Sequence, residues 1–410
     1  MTGQTEQVVI VGAGMVGHRV AEEIAQDSNL QVHLIGDEEY HPYNRILLSE
    51  VLAGRADLHA LTLPEPHHSV QLRRGSGVVG IDREARRVLL ADGDELPYDK
   101  LVLATGARAF VPPITGLEGE PQHVHVLRTW DDCRDVTARA TNAKHAVVVG
   151  AGLLGLEAAC GLRRRGVPVT VLDLGDRPMK AQLDEAPARA LSTALNNLGI
   201  DLRLGVTVAE VISAYGETVA VKLTDGRVMA TDLMLLSCGI RAEIELAAAA
   251  GLEVDQGIVV GPDLATGDPN IFAVGDCAQP PSGMTGLLAP GWRQAEELAR
   301  RLTRREDAIN FSGIQVRSVM VPRVDVRTVE HTTPLTDAIA IFFETGYSRL
   351  PVHRDSPDNI LGILHVKDVF RVAWSDPDVA SRPVGEFVRP TLFIPETKPI
   401  DELLEELRAR

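Results

Sequence analysis

The sequence predicts an α/β protein with two Rossmann-like domains, followed by a smaller α/β region. An apolar run that breaks into Gly-x-Gly-x-x-Gly and continues with helical residues occurs twice, starting at Val8 and at Ala146. The chain has 410 residues, of which 36 are Gly and 45% are hydrophobic, so it can form several compact domains. Its character changes at the charged, turn-like segment near 306–313, which indicates a boundary.

The first copy contains every part of a nucleotide-binding βαβ unit. The strand VVIV leads into Gly12, Gly14 and Gly17, and HRVAEEIAQ predicts a helix. These glycines allow a tight turn, close approach of the backbone to a pyrophosphate and close packing of helix on strand. The second strand, QVHLIG, is followed by Asp37 and Glu38, where a carboxylate accepts hydrogen bonds from a ribose.

The second copy repeats each part in the same order. The strand HAVVVG leads into Gly150, Gly152 and Gly155, the helix LEAACGLRRRG follows, and the next strand, PVTVLDL, contains Asp173. Glycines at this spacing can also merely end a strand, so one copy is weak evidence. Two full copies predict that one chain binds two dinucleotides.

Two later strands end in residues that suit a flavin. LPYDKLVLATGA ends in Thr105 and Gly106, and NIFAVGDCAQ contains Asp276. Ligands bind at the carboxyl ends of strands in open α/β sheets. Asp276 could hold the ribityl hydroxyls of a flavin, with the helix expected after GLLAPG beginning near the ring, or it could only cap that helix. A resident flavin and a diffusing nicotinamide nucleotide together indicate redox chemistry.

These segments together resemble the FAD-dependent pyridine nucleotide oxidoreductases with two dinucleotide folds. HPYNRILLSEVLAG (41–54), AQLD (181–184) and GLLAPG (286–291) resemble the amino-terminal module of NAD(P)H-dependent nitrite reductase large subunits and the rubredoxin-type reductases. The resemblance covers about residues 6–305. It implies an FAD-dependent NAD(P)H oxidoreductase that passes electrons from NADH through the flavin to a redox protein or redox centre.

The resemblance also implies which residues surround each cofactor. FAD would be contacted by Gly12, Gly14, Gly17, Glu38, Arg45, Thr105, Gly106 and Asp276. The nicotinamide nucleotide would be surrounded by Gly150, Gly152, Gly155, Glu157, Asp173 and Gly239. Glu157 is equally explained as an acid at the positive end of a helix. No catalytic side chain is identified, and the histidines and cysteines have no metal-ligand spacing, so no metal site is predicted.

The family layout inserts the NAD(P)-binding domain into the FAD-binding domain. It implies FAD-binding parts at 1–115 and 244–306, an NAD(P)-binding domain at 116–243, and a junction at 307–313. The segment CGIRAEIELAAAAGL would mark the return to the FAD-binding domain.

Two departures from the family bear on mechanism. Disulfide reductases of this fold carry a redox cysteine pair where this chain has YNRILLSEVL, so we expect no thiol relay. The iron–sulfur and sirohaem segments of complete nitrite reductases do not occur in this sequence, and we expect that this chain alone does not reduce nitrite. A carboxylate at Asp173 repels a 2′-phosphate and favours NADH, although Arg177 and Lys180 could soften that preference and leave NADPH possible.

The segment 316–371 predicts strand, helix, strand, strand and helix, with Leu335, Ile339, Phe342 and Phe343 on one helix face. Its MVPR and SRLPV motifs resemble the CBS modules of magnesium/cobalt efflux and hemolysin-like proteins. VGEFVRPTLFIPETKPIDELLEELRAR resembles the start of a second module and stops before that module's strands, so 314–410 would hold one CBS module and part of another.

This region supports an alternative function, a CBS-domain regulatory protein that binds adenine nucleotides and is related to magnesium/cobalt efflux proteins. Asp368 matches the acid that holds a ribose in such modules, but His365 stands where a hydroxyl is expected and reads as an ordinary strand histidine. The incomplete second module argues against an ordered nucleotide site. A natural fusion, a truncated product and a chimera all fit the sequence.

The net charge and the cysteine spacing indicate which binding partners are excluded and which cellular compartment is expected. A formal net charge of -16 argues against nucleic acid and anionic membranes as partners. We expect no signal peptide and no membrane insertion, because the amino terminus lacks a basic region and no apolar run reaches the length of a span. The four cysteines are widely spaced, which favours a reducing cytoplasm.

Overall fold

The computed structural model describes residues 5–25, 27, 29–117, 123–214, 217–303, 315–318, 320, 326–345, 347–369 and 381–408. The chain forms two compact units, Met1–Glu306 and Asp307–Arg410. The predicted junction at 307–313 lies outside the described residues.

Twenty strands and seven helices are described in the first unit. The strands are β1 (Glu6–Val11), β2 (Leu30–Ile35), β3 (Val70–Arg73), β4 (Val78–Asp82), β5 (Arg87–Leu90), β6 (Glu95–Pro97), β7 (Lys100–Leu103), β8 (Ala107–Ala109), β9 (Val124–His125), β10 (Ala146–Val149), β11 (Val169–Asp173), β12 (Ile200–Leu204), β13 (Val208–Ala214), β14 (Glu217–Leu223), β15 (Val228–Ala230), β16 (Leu233–Leu236), β17 (Ile240–Ala242), β18 (Ile258–Val259), β19 (Ile271–Ala273) and β20 (Ala278–Gln279). The helices are α1 (Met15–Ile24), α2 (Leu48–Leu52), α3 (Trp130–Ala140), α4 (Leu153–Arg164), α5 (Glu185–Asn197), α6 (Glu245–Ala249) and α7 (Leu288–Leu302).

Two five-stranded parallel sheets organise this unit. The first has the order β19-β7-β1-β2-β3, and the second has the order β12-β11-β10-β16-β9. The two glycine loops follow the central strands β1 and β10, whose apolar residues at 8–11 and 146–149 are buried. Strands covered on both faces by other elements need apolar residues at every position, which explains the runs VVIV and AVVV. The predicted α/β fold class with two Rossmann-like sheets is confirmed.

The chain leaves the first sheet after β7, builds the second sheet, and returns to the first sheet with β19. The two chain segments that connect the sheets contain β8 and β17, which pair as a two-stranded antiparallel ribbon with Ala107 opposite Ala242. This connectivity has the insertion layout that the sequence predicts. The exact domain boundaries remain predictions.

Helices α2 and α4 pack together and join the two halves of the unit. A Cβ atom at Gly161 would lie 3.2 Å from the backbone nitrogen of Ala53, so α4 approaches the end of α2 closely. The guanidinium of Arg165 donates to the carbonyl oxygens of Leu52 at 2.5 Å and Val51 at 3.0 Å. These bonds satisfy carbonyl groups that the short α2 leaves unpaired at its carboxyl end.

One helix boundary differs from the prediction. Helix α7 begins at Leu288, inside the GLLAPG motif, and not after it. Pro290 is therefore in the first turn, where a helix has no intrahelical use for the backbone N–H that proline lacks.

The second unit contains a three-stranded sheet of β21 (Val329–Glu330), β22 (Arg349–Arg354) and β23 (Ser356–His365), with helices α8 (Leu335–Thr345) and α9 (Ile400–Arg408). Buried side chains of α8 and the sheet form its core. The side chain of Phe343 lies outside the described residues. The β22–β23 turn is tight, because Asp355, with φ of 61°, adopts the left-handed conformation and β23 starts at the next residue.

Within the described ranges, no helix combines the length and the apolar character that crossing a membrane requires.

Candidate dinucleotide-binding sites

In the first glycine loop, close packing leaves no room for a side chain at two of the glycines, and the third borders open space. Gly12 has φ of 109°, and a Cβ atom there would lie 2.2 Å from the carbonyl oxygen of Ala104. A Cβ atom at Gly17 would lie 1.9 Å from the carbonyl oxygen of Gly12. At Gly14 the nearest described atom is Nη2 of Arg45, 3.7 Å away. The loop is therefore open at Gly14, beside a cation and the amino terminus of α1, and it fits a pyrophosphate.

The second loop repeats this geometry closely. Gly150 has φ of 114°, and its Cβ atom would lie 2.2 Å from the carbonyl oxygen of Ser237. A Cβ atom at Gly155 would lie 2.1 Å from the carbonyl oxygen of Gly150. Around Gly152, no heavy atom of the described residues lies within 4 Å of a Cβ position. The second loop thus also leaves room where a pyrophosphate would approach.

The structure distinguishes the two acids that follow β2. Glu38 Oε2 accepts a hydrogen bond from the Tyr43 hydroxyl at 2.8 Å, and Glu38 Oε1 lies 3.2 Å from Nη2 of Arg45. The side chains of Glu38 and Arg45 are only about a quarter exposed. Asp37 is exposed and accepts from the backbone of Glu38. The structure therefore pairs Glu38 with Arg45, whose guanidinium lies near Gly14.

Tyr43 positions Glu38 with a hydroxyl that stays protonated. Burial, opposed in part by Arg45, raises the pKa of Tyr43 well above its usual value of 10.0. The same hydroxyl accepts a hydrogen bond from the backbone N–H of Trp130 at 2.9 Å. Tyr43 therefore ties the acid after β2 to the start of α3.

The ends of β7 and β19 meet around an arginine that the sequence reasoning missed. Arg128 donates from Nη2 to Oδ2 of Asp276 at 3.0 Å and from Nε to the carbonyl oxygen of Ala107 at 3.0 Å. Its Nη2 lies 4.0 Å from a Cβ position at Gly106, and Thr105 donates to the carbonyl oxygen of Glu243 at 3.0 Å. No sequence motif marks Arg128, which precedes the capping box of α3 and lies far along the chain from its partner.

Asp276 is not the cap of the following helix. It lies in a short 3-10 helix, Gly275–Cys277, while the N-cap of α7 is Leu287, and no side chain of the described residues caps α7. Asp276 also lines a cavity of about 60 Å³ together with Gly286 and Leu287. Pro290 and Gly291 of α7 also line this cavity, so the positive end of the helix dipole is next to it, which suits an electron-rich ligand edge.

Asp173 fixes the second glycine loop. Its Oδ2 accepts from the backbone N–H of Ala151 at 2.6 Å, and its Oδ1 accepts from that of Gly175 at 2.6 Å. A carboxylate has about four acceptor positions, so both oxygens retain capacity for a ribose hydroxyl. Gly239 has φ of 95° and lies at the start of the crossing ribbon.

Glu157 contacts the other half of the unit. Its Oε2 accepts from the hydroxyl of Ser49 at 2.8 Å, which joins α4, just beyond its first turn, to α2. This contact adds a packing partner and leaves both explanations of Glu157 open, the nicotinamide neighbour and the acid at a helix end.

The four cysteines are suited to packing and not to redox exchange. All four are free, and burial raises the pKa of each thiol above its usual range. Cys277 is fully buried and contacts the carbonyl oxygens of Leu103 and Val274. Because the thiolate is the nucleophile in exchange, none of these thiols is activated. In the described part of the chain, no group of three or more acidic, histidine or cysteine side chains is arranged for a metal ion.

Two glycine loops on two parallel sheets, each followed by an acid, define a protein that binds two dinucleotides. The chain belongs to the pyridine nucleotide-disulphide oxidoreductase family, whose model matches residues 6–299. The CBS domain model matches residues 316–375, which confirms the predicted module. The closer resemblance of this module to those of efflux proteins remains a prediction.

Known relatives agree with this membership. The chain is 39% identical to rhodocoxin reductase of Rhodococcus erythropolis over 68% of this chain and 67% of the relative. It is 38% identical to the nitrite reductase [NAD(P)H] large subunit of Klebsiella oxytoca over 75% of this chain and 32% of the relative. The crystal structure of a ferredoxin reductase from Rhodopseudomonas palustris superposes with a TM-score of 0.69 at 33% identity, over 73% of this chain and 76% of that one. The chain spans less than half the length of several curated relatives that it matches.

Proposed function

We propose that this chain takes electrons from NADH and passes them, through bound FAD, to a small redox protein or a redox centre. The observation that carries the proposal is the pair of open glycine loops at Gly14 and Gly152 in one compact unit. Relatives that bear the names rhodocoxin reductase and nitric oxide reductase FlRd-NAD(+) reductase support a redox-protein acceptor.

In the proposed FAD site, each charged group has a separate task. Arg45, beside Gly14, would pair with the pyrophosphate, and Glu38, held by Tyr43, would accept hydrogen bonds from the adenosine ribose. Asp276, held by Arg128, would accept from ribityl hydroxyls, with Thr105 and Gly106 alongside. Bound FAD would supply the capacity to accept two electrons as hydride and to release them singly or in pairs.

In the proposed nicotinamide site, Asp173 sets the preference for NADH. Its carboxylate is held by two backbone N–H groups at the end of β11. A 2′-hydroxyl can donate to this carboxylate, whereas a 2′-phosphate would be repelled by it. Gly150 and Gly155 shape the loop, and Gly152, Glu157 and Gly239 would lie along the bound nucleotide.

The protein offers no thiol step between the two cofactors and the acceptor. Helix α2, which occupies the place of the redox pair in disulfide reductases, contains no cysteine, and burial keeps the four thiols protonated. Electrons must therefore leave for the acceptor directly. The free thiols also favour a reducing compartment, and we propose the cytoplasm.

Whether the chain passes electrons to an acceptor other than oxygen can be tested by comparing two electron acceptors. The purified chain with FAD is given NADH and either ferricyanide or air, and the rates of acceptor reduction and oxygen consumption are measured. A reductase reduces ferricyanide at least about tenfold faster than oxygen. Equal, slow rates with both sinks would show a chain that only oxidises NADH with oxygen.

The alternative, nucleotide binding by the CBS region, is disfavoured by one contact. Arg389 donates to both carboxylate oxygens of Asp368, at 2.5 and 2.7 Å, so the acid that would hold a ribose is engaged by a bidentate ion pair. Titrating AMP and ATP into the full chain by calorimetry, in the presence of saturating FAD and NADH, would reveal a further site in this region.

A further inference from the structure

The turn that follows Asp173 carries two cations beside the proposed NADH-selecting acid. Arg177 and Lys180 lie four and seven residues after Asp173. The stem of Lys180 comes within 3.6 Å of a Cβ position at Gly175, the residue whose N–H is bonded to Asp173. Cations placed here are the groups that would bind the 2′-phosphate of NADPH.

A second acid, Asp176, holds both cations. Its Oδ1 lies 3.2 Å from Nζ of Lys180 and 3.4 Å from Nη1 of Arg177. Arg177 also donates from its Nε to the carbonyl oxygen of Leu183 at 3.0 Å, which engages a second part of its guanidinium. The side chain of Arg177 is 27% exposed, whereas those of Asp176 and Lys180 are 66% and 59% exposed, so water and salt reach the cluster.

We infer that Asp176 is a specificity-determining residue that withholds Arg177 and Lys180 from a 2′-phosphate. Selectivity for NADH then depends on two acids with different tasks: Asp173 faces the ribose, and Asp176 neutralises the neighbouring cations. This inference rests on the proposed nicotinamide site around Asp173.

The energetic consequence is modest and dependent on salt. Each exposed ion pair is weak on its own, yet removing Asp176 takes away one negative charge and leaves the positive charges of Arg177 and Lys180 unneutralised in the turn after Asp173. We expect Asp176→Asn to tighten binding of a 2′-phosphorylated ligand by roughly three- to tenfold at low ionic strength. The gain should shrink in 0.5 M salt, where screening acts over about 4 Å.

The test uses equilibrium binding and does not depend on turnover. Calorimetry of the FAD-loaded full chain compares 2′,5′-ADP with 5′-ADP for the wild type and Asp176→Asn. Asp225→Asn is the matched control, because Asp225 forms a comparable exposed pair with Arg227 in another turn and its loss changes the net charge equally. A third variant, Asp176→Asn with Lys180→Ala, should lose most of the gain.

The expected result is tighter 2′,5′-ADP binding in Asp176→Asn alone, with 5′-ADP unchanged within twofold. Unchanged binding, or equal tightening in the Asp225→Asn control, would overturn the inference. Reduction of the wild-type flavin by NADH distinguishes failure of the role of Asp176 from failure of the proposed function. If NADH reduces the flavin and the variant shows no gain, only the role of Asp176 fails. If the wild type neither binds 5′-ADP nor is reduced by NADH, the proposed function fails, and the role of Asp176 fails with it.

Discussion

Arg128 donates a hydrogen bond to Asp276 at 3.0 Å, although 148 residues separate the two in the sequence. Both side chains are about a quarter exposed, so the pair is partly shielded from water. Arg128 belongs to the segment before α3, and Asp276 to the turn after β19. Their contact therefore fixes the end of the first sheet from the inserted half of the unit, where the proposed flavin site needs an acid in one orientation.

Loss of this pair should weaken FAD binding. Asp276→Ala and Arg128→Ala are each expected to raise the dissociation constant of FAD by about tenfold or more, because either change leaves a partly buried charge without its partner. Flavin absorbance per mole of purified protein measures the effect. Arg87→Ala removes an exposed pair with Glu95 on β5 and β6 and serves as the control. Full flavin content in both site variants would contradict the assignment.

The second glycine loop offers a matched pair of substitutions. Gly150→Ala places a Cβ atom 2.2 Å from the carbonyl oxygen of Ser237 and forces a positive φ on alanine, so we expect a loss of about 2–4 kcal/mol of unfolding free energy. Gly152→Ala meets no described atom within 4 Å and should change stability by less than about 1 kcal/mol. It should nevertheless weaken NADH binding, since the added methyl group fills the space left for the pyrophosphate. Urea unfolding and NADH titration of both variants check this, and a Gly152→Ala chain with wild-type NADH affinity would contradict it.

Tyr43→Phe removes a hydroxyl that forms hydrogen bonds with two partners. The backbone N–H of Trp130 is left without its acceptor, and Glu38 loses one of its donors. We expect a loss of about 1–3 kcal/mol of unfolding free energy, measured in urea at pH 7.5. Tyr40→Phe, which changes a more exposed hydroxyl near the same tryptophan, should have a smaller effect.

The same tyrosine predicts a dependence on alkaline pH. Burial raises the pKa of folded Tyr43 above that of the unfolded chain, so the folded state retains the proton longer. Its contribution to stability is complete below about pH 10 and declines as the pH rises above that value. Stability measured between pH 9 and 11 should fall less steeply in Tyr43→Phe than in the wild type, and identical slopes would contradict the buried hydroxyl.

Two histidines predict a loss of stability on mild acidification. Burial lowers the pKa values of His33 and His125, and each has a buried ring nitrogen without a hydrogen-bond partner among the described residues. The unfolded chain binds protons first as the pH falls below about 6.5, so acid favours unfolding. Urea midpoints should fall between pH 7.5 and 5.5, and His33→Leu should reduce that slope. A midpoint that rises on acidification would contradict these pKa directions.

The parts of the fold and of the candidate site that depend on neighbouring residues could be predicted from the sequence. The glycines, the strands before them and the acids after them are neighbours along the chain, so their spacing alone indicated the two loops. The start of α7 differs from the prediction by a few residues, because the first turn of a helix accepts Pro290 and the helix can therefore begin inside the GLLAPG motif.

Contacts between distant segments were beyond sequence reasoning. The bonds of Arg128 to Asp276, Ser49 to Glu157 and Arg165 to the end of α2 join residues more than 100 positions apart. No spacing rule links such residues, since only the insertion of one sheet between two strands of the other brings them together. The roles of Arg128 and Ser49 therefore emerge only from the folded chain.

We propose that one chain holds FAD and an NADH site close enough for electron transfer. The most direct measurement is the visible spectrum of the purified full chain during an anaerobic NADH titration. We expect a flavin spectrum that bleaches with about one equivalent of NADH and that bleaches less readily with NADPH. A colourless protein that also fails to take up added FAD, or a flavin that NADH leaves oxidised, would contradict it.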